Sequence, residues 1–595
     1  MIRPERVDRT LLSLLLLAIL LLVLEPGVVP LFEPDEGRYG EIPREMLASH
    51  DFVTPRLNGV FYFEKPPLYY WTVAASMALL GPTELAVRLP GKLAAVSMVL
   101  LAVAFARRRW GARTGLLAGL ILATSVLLVA LARIALIDPM LSTALSAAAF
   151  AFAGFAEAEA RGDARRSRRV LYGFYASCAA AVLLKGLVGV VLPGGAIVLW
   201  TLVTGRWRTL TRVFSPGPVL LFCALAVPWH VAMALRHPDF LRFYFVHEHF
   251  QRFATAESRR PGPVVYFVPV LLAGFLPWTG FFGRFREAWP GFSRGGWRAR
   301  GTESFLWIWS ILVFAFFSAS RSKLIPYVLP IWPALAVLLA LGIERARQRG
   351  AEFRADRRLS AVFFGLLFAG AAAWGWGAGY LERFASARTG LLALASLLGG
   401  FILNVSPRLF GARRGGDPVL AVAAPWLATV AGLLIVLPGA ARAITPWPIV
   451  SRALEILEPD DLVLQKGHYL EVLPFYLGRL TPVASLGWSE LDFGRSHAGT
   501  EALFPSAEAF AEEWNGIRRM LVVVHRDQLG AFGRPPLSET PAVVLAREAS
   551  GKHLLLSNRR IGSASNNLDR ISIAMGAPEN LSFDSSVLPS VGSRP

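Results

Sequence analysis

The chain contains few cysteines and few charged residues, and each shortage excludes a class of protein. Only two cysteines, Cys178 and Cys223, occur among 595 residues. Both fall inside apolar stretches, so no disulfide framework is indicated. Charged residues make up 17% of the chain, hydrophobic residues make up 54%, and the mean hydropathy is +0.47. This balance is far too apolar for a soluble globular protein.

Two kinds of binding motif are also missing. No glycine-rich phosphate loop precedes a helix in the segment after residue 440, and we expect no nucleotide cofactor. The net charge is +19, but no basic patch interleaved with aromatic residues accompanies it. We therefore expect no nucleic-acid partner.

Apolar stretches of about 20 residues, the length that crosses a bilayer, are abundant. Such stretches occur at 10–31, 85–106, 114–132, 139–157, 170–184, 186–204, 216–235, 264–283, 304–319, 324–343, 359–379, 389–405 and 418–440. The region 170–204 fits either one long helix or two short ones. The sequence predicts a polytopic α-helical membrane protein with about 13 transmembrane helices, in a domain at 1–440. Basic residues precede the first stretch, but no small-residue cleavage site follows it, so we expect a retained helix.

The positions of the arginines predict the topology. Arginine clusters occur at 3–9, 107–113, 161–169, 206–212, 284–300, 345–358 and 408–414. In a thirteen-span arrangement all of them fall on one side, as the positive-inside rule requires. The opposite, outer face then carries loop 32–84, the turn at 133–138, loop 236–263, the turn at 320–323 and everything after residue 440.

These outer segments hold a candidate site at the membrane interface. Its charged and imidazole-bearing residues are Asp35, Arg38, Glu64, Lys65, Asp138, His247, Glu248, His249, Arg252, Arg321 and Lys323. Carboxylates, imidazoles and cations from five separated segments are expected to converge there. Such residues at a membrane boundary indicate function more often than those on a solvated face.

The residue types indicate a chemistry. Lys65, Arg252, Arg321 and Lys323 suit a lipid phosphate or diphosphate, which leaves as an anion when its bond to a cargo breaks. A carboxylate such as Asp35 can orient an incoming nucleophile or take its proton. The remaining set, Glu64, His247, Glu248 and His249, could hold a divalent metal ion, either Zn²⁺ or Mg²⁺/Mn²⁺.

Each signal has a structural alternative. Asp138, beside Pro139, could cap a helix N-terminus. Lys65 and Arg252 could extend along apolar surface to reach the interface without binding a ligand. The two histidines could form an exposed polar pair. Only the expected convergence favours function.

Six motifs together resemble a known family. They are Asp35-Glu36-Gly37-Arg38-Tyr39, Pro55-Arg56-Leu57-Asn58-Gly59, Phe63-Glu64-Lys65-Pro66-Pro67-Leu68, Arg133-x4-Asp138-Pro139, Glu248-His249-x2-Arg252-Phe253 and Ser320-x2-Lys323-Leu324-x2-Tyr327-x2-Pro330. The set resembles the bacterial aminoarabinose transferases of lipid A. More broadly, it is similar to the protein-mannosyltransferase-like, polyprenyl-phosphate-dependent glycosyltransferases of the type C membrane fold.

The resemblance implies roles for individual residues. Asp35 and Asp138 match the family's two essential aspartates, and Arg38 matches a neighbouring active-site arginine. Glu64 and the cluster His247, Glu248 and His249 match a metal-binding region. Lys65, Arg252 and Tyr327 match positions that hold the carrier-lipid phosphate. Gly37 occupies a position that often carries a larger residue, which by itself indicates nothing.

The chain after residue 440 has a different character. Residues 461–464 and 519–525 have the pattern of short buried strands, and residues 449–457 and 507–514 that of helices. We predict a small periplasmic α/β domain at 441–560 that acts as a lid or packing domain without catalytic residues. The tail at 561–595 is rich in Ser, Asn and Gly, and we predict that it is disordered.

Two classes of function fit these observations. The first is an integral-membrane glycosyltransferase of the bacterial inner membrane. It would move a sugar, such as 4-amino-4-deoxy-L-arabinose, from undecaprenyl phosphate to lipid A, another glycan or a protein, on the periplasmic face. A protein O-mannosyltransferase-like enzyme is an alternative within this class. The second is a lipid-linked sugar transporter or flippase, for which charges at the bilayer midplane and inverted repeats are expected. Neither feature is apparent, so the enzyme is favoured.

Overall fold

The computed structural model describes residues 8–25, 27–244, 261–377, 419–548, 550–559 and 581–583. These residues form two compact units. The first unit comprises Met1–Pro26, Phe63–Ser76 and Arg88–Val436, and the second comprises Gly27–Tyr62, Met77–Val87 and Leu437–Pro595. The second unit thus joins most of the loop predicted at 32–84 to the C-terminal segment.

Apolar helices dominate the first unit. Five helical segments of the described chain are long and apolar enough to cross a membrane, and a sixth is added if one bent pair counts as a single span. The five are Glu84–Trp110, Ile137–Arg161, Pro216–Arg236, Gly301–Ala319 and Ile325–Gln348. Shorter apolar helices lie at Arg9–Val23, Leu68–Leu80, Ala112–Thr124, Val188–Thr204 and Leu420–Ile435. Further helices are Ala164–Lys185 and Arg354–Gly377.

Several predicted spans are interrupted. The stretch 170–204 forms two helices, which separate at Gly186, where φ is positive. The stretch 114–132 is interrupted at Ser125, whose extended backbone ends one helix and begins another. The stretch 264–283 is bent by 105° between Val264–Gly274 and Trp278–Ala288. The stretch 389–405 lies outside the described residues.

Buried polar contacts hold the first unit together. The Trp278 indole donates to Thr124 Oγ1 at 2.8 Å, and the Trp426 indole donates to the Thr124 carbonyl at 2.6 Å. Glu25 accepts from Arg88 at 2.7 Å, and both side chains are largely buried. These contacts give buried donors the partners that an apolar interior otherwise lacks.

The second unit begins with the helix Asp35–Ser49 and a short hairpin. Strands β1 (Arg56–Leu57) and β2 (Val60–Phe61) are antiparallel and joined by Asn58 and Gly59. Both turn residues have positive φ, the conformation that an Asn-Gly pair adopts readily in a two-residue hairpin. The Asn58 side chain bonds to the Thr481 backbone in both directions at 2.9 Å, which fixes the hairpin to the C-terminal segment.

A six-stranded mixed sheet forms the rest of the second unit. Its strands, in spatial order, are β4 (Val483–Ala484), β3 (Leu462–Lys466), β5 (Met520–His525), β7 (His553–Ser557), β6 (Ala542–Arg547) and β8 (Leu581–Phe583). The helices are Trp447–Ile456, Val472–Leu477, Asp492–Arg495 and Ala507–Asn515. Trp514 and Phe510 pack on the sheet in its hydrophobic core. Strand β8 lies within the tail that was predicted to be disordered, and the rest of 561–595 lies outside the described residues.

Candidate active site

An arginine–aspartate pair occupies the first turn of the helix Asp35–Ser49. Arg38 Nη2 donates to Asp35 Oδ1 at 2.8 Å across an i, i+3 spacing. Arg38 is buried, whereas the Asp35 side chain keeps 39% of its surface exposed. A half-exposed carboxylate held by a buried guanidinium is fixed in position and still accessible to a substrate.

Two glycines bring this helix against the C-terminal segment of the same unit. A Cβ atom on Gly37 would lie 2.5 Å from the Val472 nitrogen, and one on Gly40 would lie 3.0 Å from the Phe475 ring. Since a Cβ atom cannot approach backbone this closely, Gly37 is required for the packing. The sequence alone gave no meaning to this glycine, because the segment it contacts is remote in the chain.

Carboxyl groups are buried along the same helix. Glu41 is paired with Arg44 through two bonds of 2.6 Å, and Glu45 Oε2 accepts from the Gly59 nitrogen at 2.9 Å. Burial, together with the charge of Glu41, raises the pKa of Glu45 to about 8. Glu45 therefore carries a proton at neutral pH and acts as a structural group, in contrast to the half-exposed Asp35.

A second candidate cluster lies in the first unit. Asp138 stands in the first turn of the helix Ile137–Arg161, and its Oδ1 accepts from Lys185 Nζ at 2.6 Å. The same ammonium lies 4.6 Å from the centre of the Tyr327 ring. The N-cap position of the helix is Leu136, so Asp138 does not have the capping role that was its structural alternative. Three separate elements thus bring an acid, a cation and a phenol together.

Sequence reasoning missed Lys185. The residue ends the helix Ala164–Lys185, where a cation favours the negative end of the helix dipole. Lys185 also lies between two predicted apolar spans. A lysine at such a position commonly extends its ammonium to the membrane interface without binding a ligand. The signal that could have found it is that this cation falls on the side predicted to be outer.

Lys65 and Glu64 are neighbours in space as well as in sequence. Lys65 Nζ donates to the Glu64 carbonyl at 3.0 Å and lies 3.7 Å from Glu64 Oε2. The adjacent Phe63 packs against His237 and Phe240, with ring centres 5.0 and 5.7 Å away. Both charged side chains are largely buried, so this ion pair is partly shielded from water. Arg252, predicted to bind phosphate, lies outside the described residues.

Lys323 has a structural role in place of the predicted phosphate contact. Its buried ammonium donates to the carbonyl oxygens of Phe317, Ser318 and Ser320, at 3.0, 2.6 and 2.5 Å. These carbonyls end the helix Gly301–Ala319, where they have no partner within the helix. An ammonium has three donors, and these three carbonyls use all of them, so we expect Lys323 to stabilise the fold and not to bind phosphate. Arg321 is exposed, and its role in phosphate binding stays a prediction.

Replacing Lys323 is expected to weaken the fold and spare donor binding. Lys323→Met leaves three carbonyls without their donor and should lower the free energy of unfolding by about 3 kcal/mol. Thermal unfolding in detergent measures this loss. Arg321→Met is the matched control, because that side chain is exposed and its loss should leave unfolding unchanged. A Lys323→Met protein with unchanged stability and weakened donor use would restore the phosphate assignment.

The predicted metal site is only partly described. His247, Glu248 and His249 lie outside the described residues, and Glu64 is engaged with Lys65. Within the described ranges, no group of three or more His, Cys, Asp or Glu side chains is arranged to hold a metal ion. The metal stays a prediction, and the mechanism below uses none.

Comparisons with known proteins agree with the motifs. A family model described as dolichyl-phosphate-mannose-protein mannosyltransferase matches residues 8–244. The undecaprenyl phosphate-alpha-4-amino-4-deoxy-L-arabinose arabinosyl transferase of Edwardsiella ictaluri is 37% identical over 320 residues, covering 53% of this chain and 56% of that relative. The protein of the same description from Erwinia tasmaniensis is 30% identical over 513 residues, covering 82% of this chain and 88% of the relative. The alignments with Edwardsiella ictaluri and two Aeromonas relatives span 56 to 60% of those relatives' lengths.

The similarity to solved structures covers nearly the whole chain. The crystal structure of ArnT from Cupriavidus metallidurans in the apo state has a TM-score of 0.75 at 28% identity, covering 93% of this chain and 97% of that one. The same protein bound to undecaprenyl phosphate has a TM-score of 0.75 at 29% identity. Together with the apolar helices, this likeness identifies a polytopic helical membrane protein. The chain belongs to the undecaprenyl phosphate-alpha-4-amino-4-deoxy-L-arabinose arabinosyl transferase family, as the resemblance of its motifs predicted.

Proposed function

We propose that this protein is an integral-membrane glycosyltransferase. It moves a sugar, 4-amino-4-deoxy-L-arabinose, from an undecaprenyl phosphate carrier to lipid A or another acceptor at the outer face. The likeness to ArnT bound to undecaprenyl phosphate, which covers 93% of this chain and 98% of that one, carries the proposal. The Asp35–Arg38 pair and the Asp138–Lys185–Tyr327 cluster supply groups suited to the reaction.

We assign Asp35 the role of orienting the acceptor group that attacks the sugar. Its half-exposed carboxylate, fixed by Arg38, orients the incoming phosphate or hydroxyl oxygen and takes a proton from a hydroxyl. That oxygen attacks the anomeric carbon, and the bond from this carbon to the carrier phosphate breaks. Positioning of the two reactants supplies a large share of the rate enhancement.

The cations and Tyr327 are assigned to the carrier phosphate. The phosphate gains negative charge as its bond to the sugar breaks, and nearby cations stabilise that charge. The candidate phosphate-binding cations are Lys65, Arg321 and Arg252, and the Tyr327 hydroxyl is a further hydrogen-bond donor to the phosphate. Lys185 holds Asp138 in place at 2.6 Å while its charge also lies over the Tyr327 ring.

The membrane arrangement is part of the same proposal. We place the protein in the bacterial inner membrane with about 13 spans, its active site on the periplasmic face, and the α/β domain at 441–560 in the periplasm. The arginine clusters support this arrangement through the positive-inside rule.

A reporter fused after residue 450 is expected to be active only outside the cytoplasm. An odd number of spans that starts from an inner N-terminus leaves that position on the outer face. Paired fusions of alkaline phosphatase and a cytoplasmic reporter measure the side, and fusions after residue 350 provide the opposite control. Cytoplasmic activity at residue 450 would invert the topology and remove Asp35 from the outer face.

Mass spectrometry of lipid A tests the function. Cells that express the protein should carry lipid A with added 4-amino-4-deoxy-L-arabinose, and cells without it should lack the addition. The purified protein should also consume the undecaprenyl-phosphate-linked sugar. If neither lipid A nor the donor changes, the proposal fails.

Protein O-mannosylation is the second candidate, because the matched family model is named for that activity. A mannosyltransferase would add mannose to serine or threonine of an exported protein. Glycopeptide mass spectrometry on the same pair of strains separates the candidates. The alignments with the arabinosyl transferases, which extend beyond residues 8–244, favour the first.

A further inference from the structure

Arg38 is shared between two carboxylates from distant parts of the second unit. Its Nη2 bonds to Asp35 at 2.8 Å, and its Nη1 bonds to Glu490 Oε2 at 2.6 Å and to the Tyr62 hydroxyl at 3.1 Å. Glu490 precedes the helix Asp492–Arg495 in the C-terminal segment, and its side chain is only 17% exposed. A segment predicted to lack catalytic function therefore contacts the candidate catalytic pair.

A row of buried and half-buried carboxyl groups lies behind Glu490. The carboxyl group of Glu471 lies close to those of Glu33 and Glu490, which contribute to raising its pKa. Glu33 also accepts from the backbone nitrogens of Glu471 and Val472, at 3.2 and 2.7 Å. The row thus runs from Glu33 through Glu471 and Glu490 to Arg38.

Burial favours the protonated form of the inner members of the row. Among the described atoms, Glu471 Oε2 and Glu490 Oε1 are buried and have no hydrogen-bond partner. Two ionised carboxylates cannot bond to one another, whereas a protonated carboxyl donates to its neighbour. Burial and the adjacent carboxylates raise the pKa of Glu471 well above its ordinary value, and burial also raises the pKa of Glu33. Glu490 therefore pairs with Arg38 from the buried side and balances its positive charge.

We propose that Glu490 is a positioning residue that holds Arg38 against Asp35 and balances its charge, so that the Asp35 carboxylate faces the acceptor. This inference rests on the proposed function, in which Asp35 acts on the acceptor. A guanidinium with a carboxylate on each side cannot swing away from either. Because Glu490 neutralises part of the charge of Arg38, less of that charge acts on the Asp35 carboxylate.

Glu490→Gln tests the proposal, because it removes the charge and keeps the shape of the side chain. Arg38 then places its full charge on Asp35, which favours the carboxylate form and weakens it as a base. The turnover number should fall severalfold, because a carboxylate that faces the full charge of Arg38 takes the acceptor proton less readily. The acid limb of the pH–rate profile should move to lower pH, and the KM for the lipid donor should stay unchanged. Glu490→Asp, which restores a charge, should recover part of the turnover.

Glu471→Gln is the matched control. It replaces a protonated carboxyl with a neutral amide of the same shape, so its pH–rate profile should match that of the unaltered enzyme. Other titratable groups that face this cluster are Tyr39, Tyr62 and Tyr469, with Glu41 and Glu45 near Tyr469 and His553 near Glu33. Burial raises the pKa of Tyr469 well above its ordinary value, which removes it from titration near neutral pH.

The outcomes separate this inference from the proposed function. Unaltered turnover in Glu490→Gln would overturn the inference, as would turnover and thermal stability that fall together with the acid limb unmoved. If Asp35→Asn retains activity, the assignment of Asp35 fails instead. If Asp35→Asn is inactive and the acid limb shifts in Glu490→Gln but not in Glu471→Gln, both assignments stand.

Discussion

Asp35→Asn is expected to lose sugar transfer while the protein still folds and inserts into the membrane. Loss of a general base or orienting carboxylate lowers turnover by about 10²- to 10⁴-fold. Asparagine keeps the size of the side chain, and Arg38 keeps its bonds to Glu490 and Tyr62, so the helix Asp35–Ser49 should stay in place. Turnover of a radiolabelled polyprenyl-phosphate sugar by purified variants measures the effect.

Asp51→Asn is the matched control for this experiment. Asp51 belongs to the same unit, and its Oδ1 accepts from the backbone nitrogens of Val53 and Thr54, at 3.0 and 3.2 Å. An asparagine oxygen can accept the same bonds, so turnover should stay close to that of the unaltered enzyme. If Asp35→Asn also turned over at nearly the unaltered rate, Asp35 would have no catalytic role.

The local part of the candidate site could be predicted from the sequence. Asp35 and Arg38 stand three residues apart, and on a helix that spacing brings their side chains together. Asp138 could be singled out because it stands where an apolar span begins. In both cases the signal is contained in a few consecutive residues.

The long-range part could not be predicted. The residues next to Glu490 in the sequence do not indicate its role. That role depends on an ion pair with Arg38, which forms only when the second unit folds. The reason for a glycine at position 37 is seen only in the fold, where the Val472 backbone leaves no room for a Cβ atom. For Lys323 the sequence shows the cation but not the three carbonyl oxygens to which it donates.

The fold also has a local part that the sequence predicts and a long-range part that it does not. The presence of apolar helices follows from length and hydropathy alone, but the break at Ser125 and the 105° bend after Gly274 depend on packing. Strands β3 and β5 could be predicted, because each begins with a run of apolar residues. Strands β6 and β7 were missed, although each has an apolar run and the same length as β5 and β3, respectively.

Asp138 and Lys185 form the second pair whose loss is expected to have a large effect. The Asp138 side chain is 9% exposed and the Lys185 side chain 19%, with 2.6 Å between their charged atoms. Removing one partner of a buried ion pair costs about 3–5 kcal/mol, because the other charge stays behind without compensation. Lys185→Met should therefore lower both stability and transfer.

A double variant separates the structural from the catalytic contribution of this pair. Asp138→Asn combined with Lys185→Met removes both charges, so thermal stability in detergent should recover relative to Lys185→Met alone, while transfer should stay abolished. Arg161→Met is the matched control, because it breaks a pair with Glu157 of the same 2.6 Å length at the other end of the same helix. Arg161 is 64% exposed, and breaking such a surface pair costs about 1 kcal/mol or less. Transfer that returned in the double variant would show that the pair only holds the helix in place, and Asp138 would lose its catalytic assignment.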